Sequence, residues 1–152
     1  LRTFWVMLAV GCSVNLCWHF FRIWFVRYLE KDLHRPPEER QWLPLGFFLA
    51  ADLGSMASGY AIRALTRSGY SVERSRKLVM TGLAVVCLAA VPATQVGGLV
   101  PKMALFFAVA AGAMGGYAVY FSLAQDIAAR HTAQLIGIGG SASWALIAVT
   151  NQ

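Results

Sequence analysis

Charged residues are scarce in this chain, and their scarcity excludes most classes of soluble protein. Asp, Glu, Lys and Arg make up only 13% of its 152 residues, whereas hydrophobic residues make up 58% and the mean hydropathy is +0.57. An ordinary soluble domain has roughly 25% charged residues. With so few charges, a soluble protein of this size could not cover its apolar surface. The composition therefore predicts a protein that lies within a lipid bilayer.

Residues that bind metals or perform catalysis are also few. Cys12, Cys17 and Cys87 all lie inside apolar stretches, where a thiol behaves as a small hydrophobe. No metal-ligand spacing connects them with the three histidines, so we predict no disulfide framework, no metal site and no cofactor. The chain also lacks an HExxH motif, a Walker A motif and a local set of Ser, His and Asp. We therefore do not expect an enzyme.

Long apolar stretches fill most of the chain. Each is close to the roughly 20 residues that a helix needs to cross a bilayer of about 30 Å. The stretches are Phe4–Val26, Leu43–Leu65, Leu78–Val96, Met103–Ala124 and Ala133–Thr150. They predict an all-α, polytopic transmembrane helix bundle over residues 1–152, with no sheet. Pro36-Pro37 should separate the first two helices, and a Ser68-Gly69 turn should separate the second from the third.

The basic residues lie between the apolar stretches rather than along one amphipathic face. The net charge of +6 therefore does not indicate a nucleic-acid partner. In membrane proteins Lys and Arg are enriched in cytoplasmic connections. One side of the predicted bundle carries Arg2, Arg63, Arg67, Arg74, Arg76, Lys77 and Arg130, and the other carries Arg27, Lys31, Arg35, Arg40 and Lys102. The densest cluster lies between the second and third helices, which we place in the cytoplasm, so the first helix starts inside.

Polar side chains interrupt the first stretch. Asn15, His19 and Arg22 have the spacing i, i+4, i+7, which puts them on one face of a helix. One interpretation is a polar stripe that lines a cavity, where Arg22 offers a cation and a rigid fork to a carboxylate. The alternative is that Arg22 extends to the outer headgroups, because it lies about one turn from the end of the stretch. For the three residues together the cavity is the favoured interpretation.

The second stretch contains one carboxylate, Asp52. A carboxylate at that depth is protonated, paired or solvated. One interpretation makes it a proton site or the ion-pair partner of Arg22 in the adjacent helix. The other is a helix-packing contact, since Gly54, Ser55, Ser58 and Gly59 form a surface of small residues beside it.

The fourth stretch combines glycines with hydroxyl groups. Its glycines indicate close helix contact or a bending helix. Tyr117 and Tyr120 lie too deep to act as anchors at the membrane interface, so exposure to a cavity is expected.

The residues of the first helix resemble a known family. Segment 15–29 is similar to the seventh membrane helix of major facilitator superfamily transporters of the anion:cation symporter type. That helix commonly ends in the pattern W-F-F-x-x-W-L-P-x-Y-L. The matching residues are Trp18, Phe20, Phe21, Trp24, Tyr28 and Leu29, and Val26 stands where proline is usual.

Two later segments resemble the same family. Segment 48–60 looks like its eighth helix, with matches at Ala51-Asp52-Leu53-Gly54 and at Gly59. Segment 69–78 resembles the loop before its ninth helix, where an Arg-x-Arg-Lys run follows a glycine. The family usually has an Asp-Arg pair after the eighth helix, and Arg63-Ala64 stand in its place. The resemblance covers nearly the whole chain as helices seven to eleven of twelve.

The resemblance implies a partial major facilitator fold and a function in secondary active transport. Family members move hexuronates, glucarate, galactonate and related organic anions, typically with a proton, across the cell inner (plasma) membrane by alternating access. The expected substrate site is Asn15, His19, Arg22, Tyr120, Ser122 and Gln125. Asp52 and Arg22 would form an ion-coupling charge pair. The cytoplasmic gating loop would comprise Gly59, Arg63, Arg74, Arg76 and Lys77.

The first and last apolar stretches lie directly at the two ends of the chain, so we expect a fragment of a larger membrane protein. Its partners would be a small organic anion, a proton, the lipid bilayer and a missing N-terminal half of six helices. The alternative is a non-transporting membrane remnant or scaffold whose polar residues only pair helices. Six further spans upstream would favour the carrier.

Overall fold

The computed structural model describes residues 2–31, 34, 36–93, 95–127 and 132–150. Their backbone forms α1 (Arg2–Lys31), α2 (Pro37–Arg67), α3 (Val72–Cys87), α4 (Ala90–Ala93), α5 (Leu99–Ile127) and α6 (Thr132–Thr150). Within these ranges no residue is in a strand, which confirms the all-α prediction. Arg35 and Arg130, which the sequence placed in connections, lie outside the described residues.

The five predicted spans are confirmed as helical segments. By length and composition, five segments are able to cross a membrane: Phe4–Lys31, Gln41–Arg67, Val72–Ala93, Leu99–Asp126 and Thr132–Val149. Most extend beyond the apolar stretches that predicted them, because polar residues at the ends continue the helices. Pro36 lies in extended backbone just before α2, and Pro37 is the first residue of that helix, as a residue without a backbone N–H allows.

The third span is not one continuous helix. It begins at Val72, six residues before the predicted start at Leu78, and α3 ends at Cys87. A turn at Leu88 and Ala89 follows, in which both N–H groups bond to carbonyls three residues back. The cause is Pro92, which cannot donate to the Leu88 carbonyl and whose ring crowds it. The span therefore contains a break near its end.

The connection between α2 and α3 is only four residues long. Gly69 has a φ of 92°, which favours glycine, and Ser71 caps α3 by accepting a hydrogen bond from the Arg74 N–H. The expected gating loop therefore needs correction. Arg74 and its basic neighbours lie in the first turns of α3, and Gly59 and Arg63 lie in α2.

Helix α5 occupies the centre of the bundle and contacts every other helix. Its closest contact is with α2, because a Cβ at Gly54 would overlap the backbone of Ala111, and one at Gly115 would lie 3.0 Å from the Gly54 carbonyl oxygen. The core is aromatic where the C-terminal end of α1 lies beside the N-terminal end of α2. There the Phe25 and Phe47 rings stack with their centroids 4.8 Å apart. The Phe25 ring also packs against Phe106 of α5 at 5.5 Å, so these ring contacts hold α1 against α2 and the N-terminal half of α5.

Candidate functional site

The predicted polar face of α1 packs against α5 and α6. Gly11 makes room for Tyr120 of α5, because a Cβ at Gly11 would overlap the tyrosine hydroxyl. The same hydroxyl lies 3.8 Å from the position that a Cβ would take at Gly139 of α6. The Cys12 thiol donates to the Gly139 carbonyl oxygen at 3.6 Å. Tyr120 therefore reaches the junction of α1, α5 and α6.

Three side-chain atoms at this junction are buried and have no hydrogen-bond partner in the described part of the chain: Asn15 Oδ1, His19 Nδ1 and the Tyr120 hydroxyl. Asn15 is 6% exposed and Tyr120 is 3% exposed. Tyr120 touches α1 at Gly11. Asn15 and His19 follow Gly11 at four-residue intervals, so the distance from Gly11 to His19 along α1 is about 12 Å. We call Asn15, His19 and Tyr120 the polar column. Each unpartnered group costs about 1–3 kcal/mol, which hydrogen bonds to a polar ligand would recover.

Arg22 continues the polar column toward the C-terminus of α1. Its side chain is half-buried, and its charge acts on the His19 imidazole. That imidazole also contacts Trp144 of α6, with ring centroids 4.5 Å apart. Among the described residues, no carboxylate forms an ion pair with Arg22. The guanidinium donors therefore remain for an anion from elsewhere.

Two predicted site residues lie apart from the polar column. Ser122 lines a cavity of about 260 Å³ on the other side of α5, together with Ser55, Ser58 and Arg76. It faces α2 and α3 because it is two residues, or about 200°, from Tyr120 around the helix. Gln125 is exposed near the end of α5. The structure therefore brings Asn15, His19, Arg22 and Tyr120 together, but neither Ser122 nor Gln125 joins them.

Asp52 does not form the expected charge pair with Arg22. It is exposed on α2, next to Ala51 and Leu53, which are 1% and 66% exposed. The buried face of α2 runs through Phe47, Ala51 and Gly54, so Asp52 points off that face. The Ser58 hydroxyl donates to the Ser55 carbonyl rather than to Asp52. Among the described residues, the Asp52 carboxylate contacts neither Arg22 nor the serine side chains of its own helix.

The basic residues of α3 each lie close to a partner side chain; they are Arg74, Arg76 and Lys77. Arg76 forms an ion pair with Asp126 of α5, and its side chain is 15% exposed against 60% for the aspartate. Lys77 pairs with Glu73 at 2.6 Å on the exposed surface of α3. The Arg74 guanidinium lies 5.2 Å from the centroid of the Tyr70 ring. Arg76 is thus the member of the cluster that connects two helices.

Sequence reasoning missed the partners that α5 and α6 contribute. Asp126 was not assigned a role from the sequence, although it follows the fourth apolar stretch on the same side of the bundle as Arg76, which was a signal for pairing. Trp144 and Ser143 gave no such signal, because nothing in the sequence aligns α6 with α1. Ser143 is fully buried and donates to the Gly139 carbonyl oxygen.

No protein-family model matches the chain, and no curated protein matches it either. The class of protein is therefore inferred from the fold alone. The part of the chain that the structure describes has α-helices and no strand, and five of its helical segments are long and apolar enough to span a membrane, which indicates a multi-pass membrane protein.

Proposed function

We propose that this chain is part of a secondary active transporter for small organic anions, such as sugar acids, of the major facilitator type in the inner (plasma) membrane. The observation that supports it most is the polar column, because its three buried polar atoms have no partner among the described residues, and Arg22, which acts on His19, has no counter-ion among them. A sugar acid offers hydroxyl groups to the former and a carboxylate to the latter.

The column is closed in this conformation, since Asn15 and Tyr120 are almost fully buried. Binding therefore requires α1 to move relative to α5 and α6. At these contacts Gly11 and Gly139 add no side chain of their own, which suits an interface that opens and closes. In the proposed carrier this opening is one step of alternating access, in which the chain rocks against a second bundle.

The same geometry supports the proposal that transport is coupled to a proton. A protonated His19 would be repelled by Arg22, which already acts on it. A carboxylate bound between them would offset that repulsion, so anion and proton would favour each other's binding reciprocally. Asp52, exposed on α2, would contribute only through a group outside the described bundle.

Removal of the Arg22 guanidinium tests the anion site. In the complete transporter, Arg22→Ala should reduce uptake of labelled glucarate or a hexuronate by about tenfold or more, since a lost charge-assisted hydrogen bond costs about 1.5–3 kcal/mol. Arg22→Lys should keep part of the uptake, because it keeps the charge but not the planar fork. Initial rates in cells, normalised to the amount of protein in the membrane, are the measurement.

Arg27→Ala is the matched control. Arg27 lies on the same helix, but it is exposed and packs over the Trp24 ring at 5.6 Å. It should transport as the wild type does. Normal uptake by Arg22→Ala would remove the anion site and leave the extension of Arg22 to the outer headgroups as the better account.

The orientation is tested by labelling from one side of the membrane. A single cysteine at Ser68 places a thiol between α2 and α3, and one at Glu38 places a thiol at the opposite, N-terminal end of α2; both positions are exposed. Because the basic cluster should face the cytoplasm, an impermeant maleimide added to intact cells should label position 38 and spare position 68. The parent chain, whose own cysteines lie within the spans, should stay unlabelled. Labelling at 68 alone would reverse the orientation.

A further inference from the structure

Two thiols that are far apart in the sequence meet in the fold. Cys17 lies in the middle of α1 and Cys87 is the last residue of α3. Both are half-buried, and both line one cavity between their helices. The third cysteine is separate, because Cys12 faces α6 and donates to the Gly139 carbonyl. The two helices therefore bring together one pair of sulfur atoms.

The pair lines a cavity rather than filling a packed core. The cavity has a volume of about 210 Å³ and lies between α1 and α3, with Gly112 and Ala113 of α5 as its floor. A Cβ at Gly112 would lie 3.0 Å from the Cys87 sulfur, so that sulfur is directly above the floor. Since the floor residues carry small side chains or none, space for an additional atom remains next to the thiols.

A third sulfur atom lines the same cavity. Met80 of α3 also belongs to its wall. Its sulfur lies 3.8 Å from the position a Cβ would take at Gly116, one helical turn along α5 from Gly112. The two glycines are four residues, or about 6 Å, apart along α5, and the flexible thioether side chain can bring its sulfur toward the thiols by changing rotamer.

We propose that Cys17 and Cys87, with Met80 as a third ligand, form a binding site for a soft monovalent metal ion of the Cu(I) type. Thiolate and thioether ligands select Cu(I), whereas carboxylates and carbonyls suit harder ions. In the described part of the chain, no group of three or more His, Cys, Asp or Glu side chains forms a metal site. This cavity therefore lacks the ligands to bind an ion that requires four such side chains.

The low polarity of the surroundings sets the charge of the complex. The cavity wall consists mainly of Val14, Leu83 and Ala84, besides the sulfur residues. An isolated charge is costly in such a place. One thiol releases its proton when Cu(I) binds, so the ion and one thiolate form a neutral unit, and the second thiol and the thioether coordinate as neutral ligands. No electron is transferred.

Competitive titration of the purified chain with Cu(I) tests the site. The chain is held in detergent with ascorbate as reductant and bathocuproine disulfonate as competing chelator. The wild type should bind one Cu(I) per chain. Cys17→Ser and Cys87→Ser should each weaken binding by about 100-fold or more, since loss of even an outer-shell partner costs 10–100-fold. Cys12→Ser is the matched control and should bind as the wild type does.

A second measurement on the wild type removes any dependence on the folding of variants. Ag(I) should protect Cys17 and Cys87 from alkylation, as quantified by mass spectrometry of their peptides, and should leave Cys12 as reactive as before. Protection of all three cysteines alike, or of none, would overturn the proposal. So would a full equivalent of Cu(I) retained by folded Cys17→Ser or Cys87→Ser.

Discussion

Gly54→Ala should strongly destabilise the bundle, although it adds only one methyl group. The new Cβ would overlap the backbone of Ala111 in α5, which is not a flexible side-chain end and cannot move aside alone. The two helices must separate along their closest contact. Overpacking of this kind costs about 1–3 kcal/mol, and a rigid backbone neighbour favours the upper end of the range. The midpoint of unfolding in sodium dodecyl sulfate, followed by circular dichroism, measures the effect.

Gly59→Ala on the same helix is the control for this prediction. No atom outside its own helical neighbourhood lies within 4 Å of the position of the added Cβ. Alanine is also the better helix former by about 0.8–1.0 kcal/mol, so Gly59→Ala should be neutral or slightly stabilising. Equal midpoints for Gly54→Ala and the wild type would show that α2 and α5 do not approach closely at this residue.

The second large effect should come from the ion pair between α3 and α5, and it should depend on which partner is removed. Asp126→Asn leaves the Arg76 charge in a largely buried position, where its Nε atom already has no partner in the described part of the chain. Breaking a buried pair costs about 3–5 kcal/mol and an exposed one about 0–1, so this half-exposed pair should cost about 1–3 kcal/mol. Arg76→Met should cost less, because the remaining Asp126 is exposed to water.

The difference between these two variants is the decisive measurement, and the same unfolding assay supplies it. Glu73→Gln breaks the neighbouring pair with Lys77, whose side chains are both more than 70% exposed. That control should change stability little, since exposed pairs contribute little. If Arg76→Met is as destabilising as Asp126→Asn, then the guanidinium contributes through packing rather than through its charge.

The spans were predictable from the sequence because a helix in a bilayer must be long and apolar. The connections at Pro36-Pro37 and Ser68-Gly69 were predictable for the same local reason, since proline and glycine act within a few residues. The helix break after Cys87 was not predicted, although a proline at position 92 indicates a break a few residues before it. A continuous apolar stretch was treated there as a continuous helix.

The site was only partly predictable, because spacing defines the faces of one helix but not the neighbour of each face. Asn15, His19 and Arg22 were placed on one face by their spacing, and they do share one. Tyr120 and Ser122 were assigned to one site by the family resemblance, and α5 directs them to opposite sides because two residues are about 200° apart around a helix. The meeting of Cys17 with Cys87 depends on the packing of α1 and α3 over α5, which no local pattern encodes.

The central position of α5 also has a consequence for how the protein is made. A ribosome delivers α1, α2 and α3 to the membrane before α5, yet these helices touch one another less than they touch α5. Until residues 99–127 have been synthesised, Gly54 and Gly11 lack the α5 surface that they contact in the folded bundle. The packing of α1, α2 and α3 against α5 can therefore be completed only after α5 has entered the membrane.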